Sequence, residues 1–315
     1  MTAVTVGRLW HHPVKSVQGE TADEVVLGPG GLVGDRAYGF VDAATGRLLS
    51  AKRPKRYGAL LRCRASFDAA PRPGEPIPAL RFTMPDGRTL TEQAEIEKAV
   101  TELLGFDVAL VTSLPAGGAY ELTWGEDNGD SGFLAPARLP ETEDGEPLYA
   151  FPPGIGAPET LLDLAALHVL ASSTLESLAQ DHPDGTWDER RFRPNIVFTE
   201  TEPPNRPSGS FAEDDWMGSD LRIGDSVRIH IVAPTLRCPM PSVAQEGLSR
   251  DIEILRTLNR VARRELSPLG TFPCLGAYAE VITPGVIRVG DPVEITETEA
   301  TGSALAGALA AMAGG

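Results

Sequence analysis

Val227-Arg228-Ile229-His230-Ile231-Val232 alternates β-branched apolar residues with charged ones and leads into Ala233-Pro234-Thr235-Leu236-Arg237-Cys238-Pro239. Period-two alternation is the mark of a half-buried strand. After the loop Ala233-Pro234-Thr235, Cys238 is expected at a strand exit rather than within a sheet, with Pro239 and Pro241 stiffening the chain beyond it. Arg237 stands beside the thiol. A neighbouring cation raises the thiolate fraction, and thiolate is the form that binds soft metals. The competing reading is an inert buried cysteine, because free cysteine is among the most buried residue types. Cys63, read as mid-strand, and Cys274, beside Pro273, are assigned to that inert class.

The same β-rich texture extends outward. Val4-Thr5-Val6, Glu24-Val25-Val26-Leu27, Tyr38-Gly39-Phe40-Val41-Asp42 and Leu60-Leu61-Arg62-Cys63-Arg64 read as short strands separated by Gly/Pro/Asp turns. So do Asn195-Ile196-Val197-Phe198, Leu221-Arg222-Ile223, Tyr278-Ala279-Glu280-Val281-Ile282 and Val293-Glu294-Ile295. Helical spacing is read over residues 92–104, with Gly105 as the stop, over 160–181, and over 250–265. The expectation is a mainly β fold with peripheral helices, an α+β arrangement of barrel or sandwich type. Its divisions are expected at residues 1–112, a linker or surface insertion at 113–158, a second domain at 159–298, and a frayed Ala/Gly-rich tail at 299–315.

Composition narrows the function. A formal net charge of −16 disfavours nucleic acid and an anionic membrane surface as partners. The first residues lack the pattern of a signal peptide, and no apolar run is long enough to span a bilayer. Three widely spaced cysteines make no disulfide framework and no iron–sulfur cluster motif, so a reducing, cytoplasmic setting is expected.

Against the acidic trend stand Lys15-Ser16, Arg36 in Gly34-Asp35-Arg36, and Arg193 in Phe192-Arg193-Pro194-Asn195. Guanidinium forks fit phosphate, and lysine adds a point charge. With hydroxyls from Ser16, Ser172, Ser173 and Thr174, this is the mix an anionic phosphorylated ligand requires, although singly each basic residue is more often a surface charge. The Ser-Ser-Thr cluster is read as the end of one helix and the cap of the next. The Gly30-to-Arg36 loop lacks the dinucleotide fingerprint. His11 and His12, adjacent on a strand, face opposite ways and make a poor metal pair. His168 is read as a core histidine on a helix face.

Taken in order, Pro13-Val14-Lys15-Ser16, Gly34-Asp35-Arg36 and Arg47-Leu48-Leu49-Ser50-Ala51-Lys52-Arg53 resemble the MOSC N-terminal β-barrel domain. Phe192-Arg193-Pro194-Asn195-Ile196-Val197, Trp216, Leu221-Arg222-Ile223-Gly224-Asp225, Arg237-Cys238 and Val289-Gly290-Asp291-Pro292-Val293 resemble the MOSC domain, whose name stands for molybdenum cofactor sulfurase C-terminal. The resemblance implies two β-barrel-type domains with a molybdenum cofactor between them. It points to the amidoxime-reducing branch, in which a cysteine binds the metal. By matching motif, Cys238 becomes the molybdenum ligand. Lys15, Ser16, Arg36, Arg193, Asn195 and Arg237 become cofactor contacts, with Ser172, Ser173 and Thr174 in the serine-bearing segment of relatives. The implied activity is reduction of N-hydroxylated or related small molecules, fed by a separate electron-donor protein with a flavin, iron–sulfur or haem group. The residues after the thiol, Pro239-Met240-Pro241-Ser242-Val243, depart from the Thr-Thr-Val-Asp-Pro usual in that branch, which bears on the substrate class. A sulfur carrier using a Cys238 persulfide, or a cofactor-binding module without turnover, remain the alternatives.

Overall fold

An antiparallel sheet with one apolar face has to cover that face and its edges, and closing on itself does both. The computed structural model describes residues 3–115, 117–125, 128, 132–143, 145–201, 206–267, 269–298 and 303–313. In it, seven strands close into a ring: Leu167–Ala171, Ile196–Glu200, Val4–His11, Pro292–Glu297, Ser219–Ile223, Val227–Leu236 and Gly270–Thr283, which pairs back to Leu167–Ala171. All neighbours are antiparallel except Leu167–Ala171 with Ile196–Glu200, which the helix Ser172–Asp181 joins as a crossover. Val6, Val169, Phe198, Leu221, Ile229 and Ala279 are among the buried residues of this core. The strand Val4–His11, from the start of the chain, is thus part of a ring built mostly from its second half.

A second core lies under the remaining N-terminal segments. Gly39–Asp42 pairs with Val108–Val111, and Arg64–Phe67, Leu80–Thr83 and Thr89–Leu90 form a small meander. The helix Gln93–Leu104 buries Ile96, Ala99 and Val100 on one face and ends at Gly105, whose φ of +80° suits the left-handed cap. The architecture is mostly sheet with five peripheral helices among the described residues, as the strand texture predicts.

Several local expectations need correction. Residues 60–64 are not a strand: Gly58–Arg62 is a 3-10 helix, and Cys63 is the residue between it and the strand Arg64–Phe67. Leu60 and Leu61 are both fully buried, which a half-exposed strand does not allow. Residues 160–181 are not helical throughout. Leu167–Ala171 is a strand buried at all five positions, so it shows no alternation, and His168 lies on it rather than on a helix. The segment 113–158 holds a three-stranded sheet of Tyr120–Thr123, Glu146–Phe151 and Arg138–Glu143. Its outer strand is mostly exposed, and this erases the apolar rhythm.

Residues 304–313, read as frayed, form the helix Ala304–Ala313. Leu305 and Leu309, one turn apart on one face, are buried in a third core with Tyr120, Phe272 and Cys274. Leu305→Ala is therefore expected to lower stability by about 2–4 kcal/mol, read as a fall in urea midpoint at unchanged slope. A loss below about 0.5 kcal/mol, the range of surface substitutions, would mean that the tail does not dock.

Candidate functional site

The strand Val227–Leu236 carries the thiol to its place. Its pairing with Gly270–Thr283 is irregular at Ala233 and again before Leu236, and the last paired residues are Leu236 and Cys274. These shifts let the proline-containing segment stay in the sheet, so the strand runs further than the alternating residues suggest. The Arg237 N–H still donates to Pro273 O at 2.8 Å, and Cys238 follows at once. Met240–Ser242 then forms one 3-10 turn. The fully buried Arg191 fastens this turn, donating to Pro241 O at 3.0 Å and Ser249 O at 2.8 Å. Cys238 is the partly exposed thiol, whereas Cys63 and Cys274 are buried. Burial pushes both of those thiols up to about 12.

Cys238 lines a cavity of about 130 Å³ together with Lys15, Ser16, Arg36, Arg193 and Asn195. Residues far apart in the chain meet here, as their motifs suggest, and Arg237 joins them. Three of the four non-glycine residues with positive φ among the described residues are in this wall: Ser16 at +62°, Arg36 at +48° and Arg193 at +56°. Such backbone costs about 1–3 kcal/mol per residue and clusters at functional sites.

Asp35 and Asn195 tie the basic residues together. Asn195 Nδ2 donates to Asp35 Oδ2 at 3.0 Å, and its Oδ1 accepts the His168 N–H at 3.1 Å. Asp35 also pairs with Arg36, whose Nη2 reaches Arg193 O at 3.3 Å. Arg193 donates Nη1 to Val17 O, but its Nη2 is buried with no partner among the described residues. Burial and the nearby Arg36 pull the Arg193 guanidinium down to about 9.

The Arg237 guanidinium lies in a buried cradle. It donates to Leu275 O, to Phe192 O at 3.3 Å and to His168 Nε2 at 2.6 Å. Burial, then the Arg237 charge, hold His168 well below the ordinary histidine value, so the ring is a neutral acceptor. Gly276, at φ +74°, makes room for this pair, because a Cβ there would lie 2.4 Å from His168 Nε2.

Among the members of the wall that sequence reasoning missed are Asp163, Lys52 and Tyr278. Asp163 sits between two lysines, 2.5 Å from Lys15 Nζ and 3.0 Å from Lys52 Nζ. Both ammonium groups stand 4.9 Å from the centre of the Tyr120 ring. Burial draws Lys15 down to about 8 despite Asp163. Lys52 is also desolvated, yet the charges of Asp163, Tyr120 and Cys238 hold it well above the usual value. Lys52 is therefore a cation whose field reaches the thiol. The third, Tyr278, lines the same space. The signals available were a lone aspartate inside Leu161-Leu162-Asp163-Leu164 and the place of Lys52 within the Arg47-to-Arg53 motif.

Ser172, Ser173 and Thr174 lie outside the lining. The helix Ser172–Asp181 has no side-chain cap of its own. Glu213 instead ties the start of the helix from a distance, accepting the N–H of the N-cap residue Ala171 at 2.7 Å and the Thr174 hydroxyl at 2.5 Å. Ser173 donates to Glu200 at 2.5 Å.

Two outcomes are expected. Iodoacetamide at neutral pH should label Cys238 alone in the folded protein, with Cys63 and Cys274 reacting only in denaturant; peptide mapping reads the sites. Burial raises Glu213 to about 7. Between about pH 4.5 and 7 the folded state then keeps a proton the unfolded chain has lost, so stability falls as pH rises through that window. Glu213→Gln should remove this slope, worth on the order of 1–3 kcal/mol, in denaturant titrations at a series of pH values.

The chain matches the model of the MOSC N-terminal beta barrel domain over residues 3–109 and that of the MOSC domain over 159–294. Mouse mitochondrial amidoxime-reducing component 1 is 32% identical over 135 residues, covering 42% of this chain and 36% of the mouse protein. The human protein of that name is 34% identical over 106 residues, covering 32% and 28%. The matched stretches thus span about a third of the curated relatives. Among solved structures, the YuaD protein from Bacillus subtilis aligns with 95% of this chain and 98% of its own, at 12% identity and a TM-score of 0.42. YiiM from Escherichia coli aligns with 46% and 60%, at 17% identity and 0.29. The two domain matches, in this order along one chain, make it a member of the MOSC family that carries both the N-terminal β-barrel domain and the MOSC domain.

Proposed function

We propose that this protein binds a molybdenum cofactor and reduces N-hydroxylated or related small molecules, with Cys238 as the protein ligand to the metal. The observation that carries the reading is the donor set of the cavity. A partly exposed thiol shares its cavity with buried cations, and Arg193 Nη2 has no partner among the described residues. An unpaired buried donor is costly, and an anionic oxygen of a phosphorylated ligand satisfies it. The residues therefore fit such a cofactor.

Within this reading, Arg36, Arg193 and Lys15 hold the anionic part, while Ser16 and Asn195 contribute polar contacts. Arg237 shapes the floor through His168 and Leu275, and Arg191 keeps the turn after Cys238 in place. When bound, the cofactor supplies two-electron redox chemistry, and the protein supplies orientation and electrostatics. Conversion of R–NHOH to R–NH2 and water consumes two electrons and two protons. The electrons come from a separate redox protein bearing a flavin, iron–sulfur or haem group. The reducing, cytoplasmic setting belongs to the same reading; among the described residues, no helix is long and apolar enough to cross a membrane.

Elemental analysis with pterin extraction tests it. Wild type is expected to hold stoichiometric molybdenum and Cys238→Ala to lose at least about nine-tenths of it, a tenfold weakening or more. Full metal content in a folded Cys238→Ala variant would defeat the ligand assignment. A labile extra sulfur on Cys238 in fresh protein that lacks molybdenum would instead support a sulfur carrier.

A further inference from the structure

A second concavity, of about 1130 Å³, lies beside the Cys238 cavity. Both are lined by Trp124, and the turn after Cys238 separates them. Met240 and Pro241 face the inner space, whereas Pro239, Ser242 and Val243 face the outer groove. Asn128 braces this wall, donating Nδ2 to Arg237 O at 3.2 Å. The groove is thus placed where a molecule would approach the thiol.

Two independent observations define its chemistry. Its described lining carries Lys55, Arg62, Arg250 and Arg256 against one carboxylate, Glu146, in a chain of formal net charge −16. Arg256 is paired with Glu253 at 2.8 Å. Arg62 and Arg250 have no side-chain partner among the described residues. Separately, Ser242 is only 8% exposed, and its Oγ has no hydrogen-bond partner among the described residues. A buried hydroxyl is normally satisfied, so this one is an unsatisfied donor in the wall of the groove. Unpaired guanidinium groups and a free hydroxyl together suit a carboxylate. The indole of Trp124 adds an aromatic wall for a planar ring.

We propose that this groove recognises the substrate of the Cys238 cavity and selects N-oxygenated aromatic compounds that carry a carboxylate. The inference rests on the Cys238 cavity being the reaction site. It also gives a role to Pro239-Met240-Pro241-Ser242, the stretch where this chain departs from the amidoxime-reducing pattern: the turn presents Ser242 to the groove.

Isothermal titration calorimetry at low salt, on the protein as purified, compares benzamidoxime with 4-carboxybenzamidoxime. The carboxylated compound is expected to bind about tenfold more tightly, and added salt should erode the difference. Arg250→Ser alone should reduce the advantage, and Arg62→Ser with Arg250→Ser should abolish it. Ser242→Ala should weaken the carboxylated compound severalfold, with thermal midpoints of all variants unchanged. Equal affinity for the two compounds in wild type, or an advantage that survives in the double arginine variant, overturns the proposal. Molybdenum content of wild type and Cys238→Ala is measured in parallel. Cys238-dependent metal without carboxylate preference sinks the groove and spares the cofactor assignment. Carboxylate preference in a protein that never holds the metal keeps the ligand class and removes the reading beneath it.

Discussion

Lys15, Arg193 and Arg237 are buried around a single cavity, and keeping cations away from water is the constraint on which the rest of this structure depends. Removing an ion from water costs several kcal/mol even after relaxation, and all three groups are drawn below their ordinary values by burial. The surroundings offset part of that cost with carboxylates and carbonyls. Asp163 serves both lysines, while Leu161 O, Val17 O and Leu275 O take hydrogen bonds from Lys15, Arg193 and Arg237. The left-handed backbone at Ser16, Arg36 and Arg193 is a second cost at the same place. A protein selected for stability alone would fill this space with hydrocarbon. Here cations line it instead, and among the described residues Arg193 Nη2 has no partner.

The closed ring makes this arrangement possible. Its strands are pinned on both sides, so short irregularities in the Val227–Leu236 strand redirect the chain without unravelling the sheet. The first strand, Val4–His11, is held between Ile196–Glu200 and Pro292–Glu297. It therefore delivers Lys15 and Ser16 to the neighbourhood of Arg193 and Asn195, which follow the helix Ser172–Asp181 by a short connection. Arg191, with four backbone carbonyls around its guanidinium, locks the turn that carries the chain onward from Cys238. The thiol is thereby positioned by covalent exit from a strand on one side and by a buried clamp on the other.

The same organisation explains the two unlike spaces. The inner cavity is small, desolvated and lined by groups from several distant segments. The outer groove is wide, and most of its charges are at the surface. The wall between them is the turn Met240–Ser242. Arg191 holds that turn through its carbonyls, which leaves the side chains of Met240 and Pro241 on the inner space and that of Ser242 on the outer groove.

Local chemistry was legible wherever a residue's role follows from its own neighbours. The helix Gln93–Leu104 and its glycine stop announce themselves by spacing, as do the alternating part of the Val227–Leu236 strand and the thiol beyond it. The motifs around Lys15, Arg36, Arg193 and Cys238 carried the family resemblance in order along the chain. Strand Leu167–Ala171 could not be told from a helix, because total burial removes the alternation that marks a strand. Asp163 and Lys52 could not be assigned to the site, because a carboxylate acquires its function from the two ammonium groups that folding brings to it. Nor could Ser172, Ser173 and Thr174 be separated from the lining, since the acceptors that engage two of them, Glu200 and Glu213, arrive from other elements. Short-range pattern and side-chain type are encoded by contiguous residues. Burial, left-handed backbone at non-glycine positions and unpaired donors arise only when distant segments exclude water together.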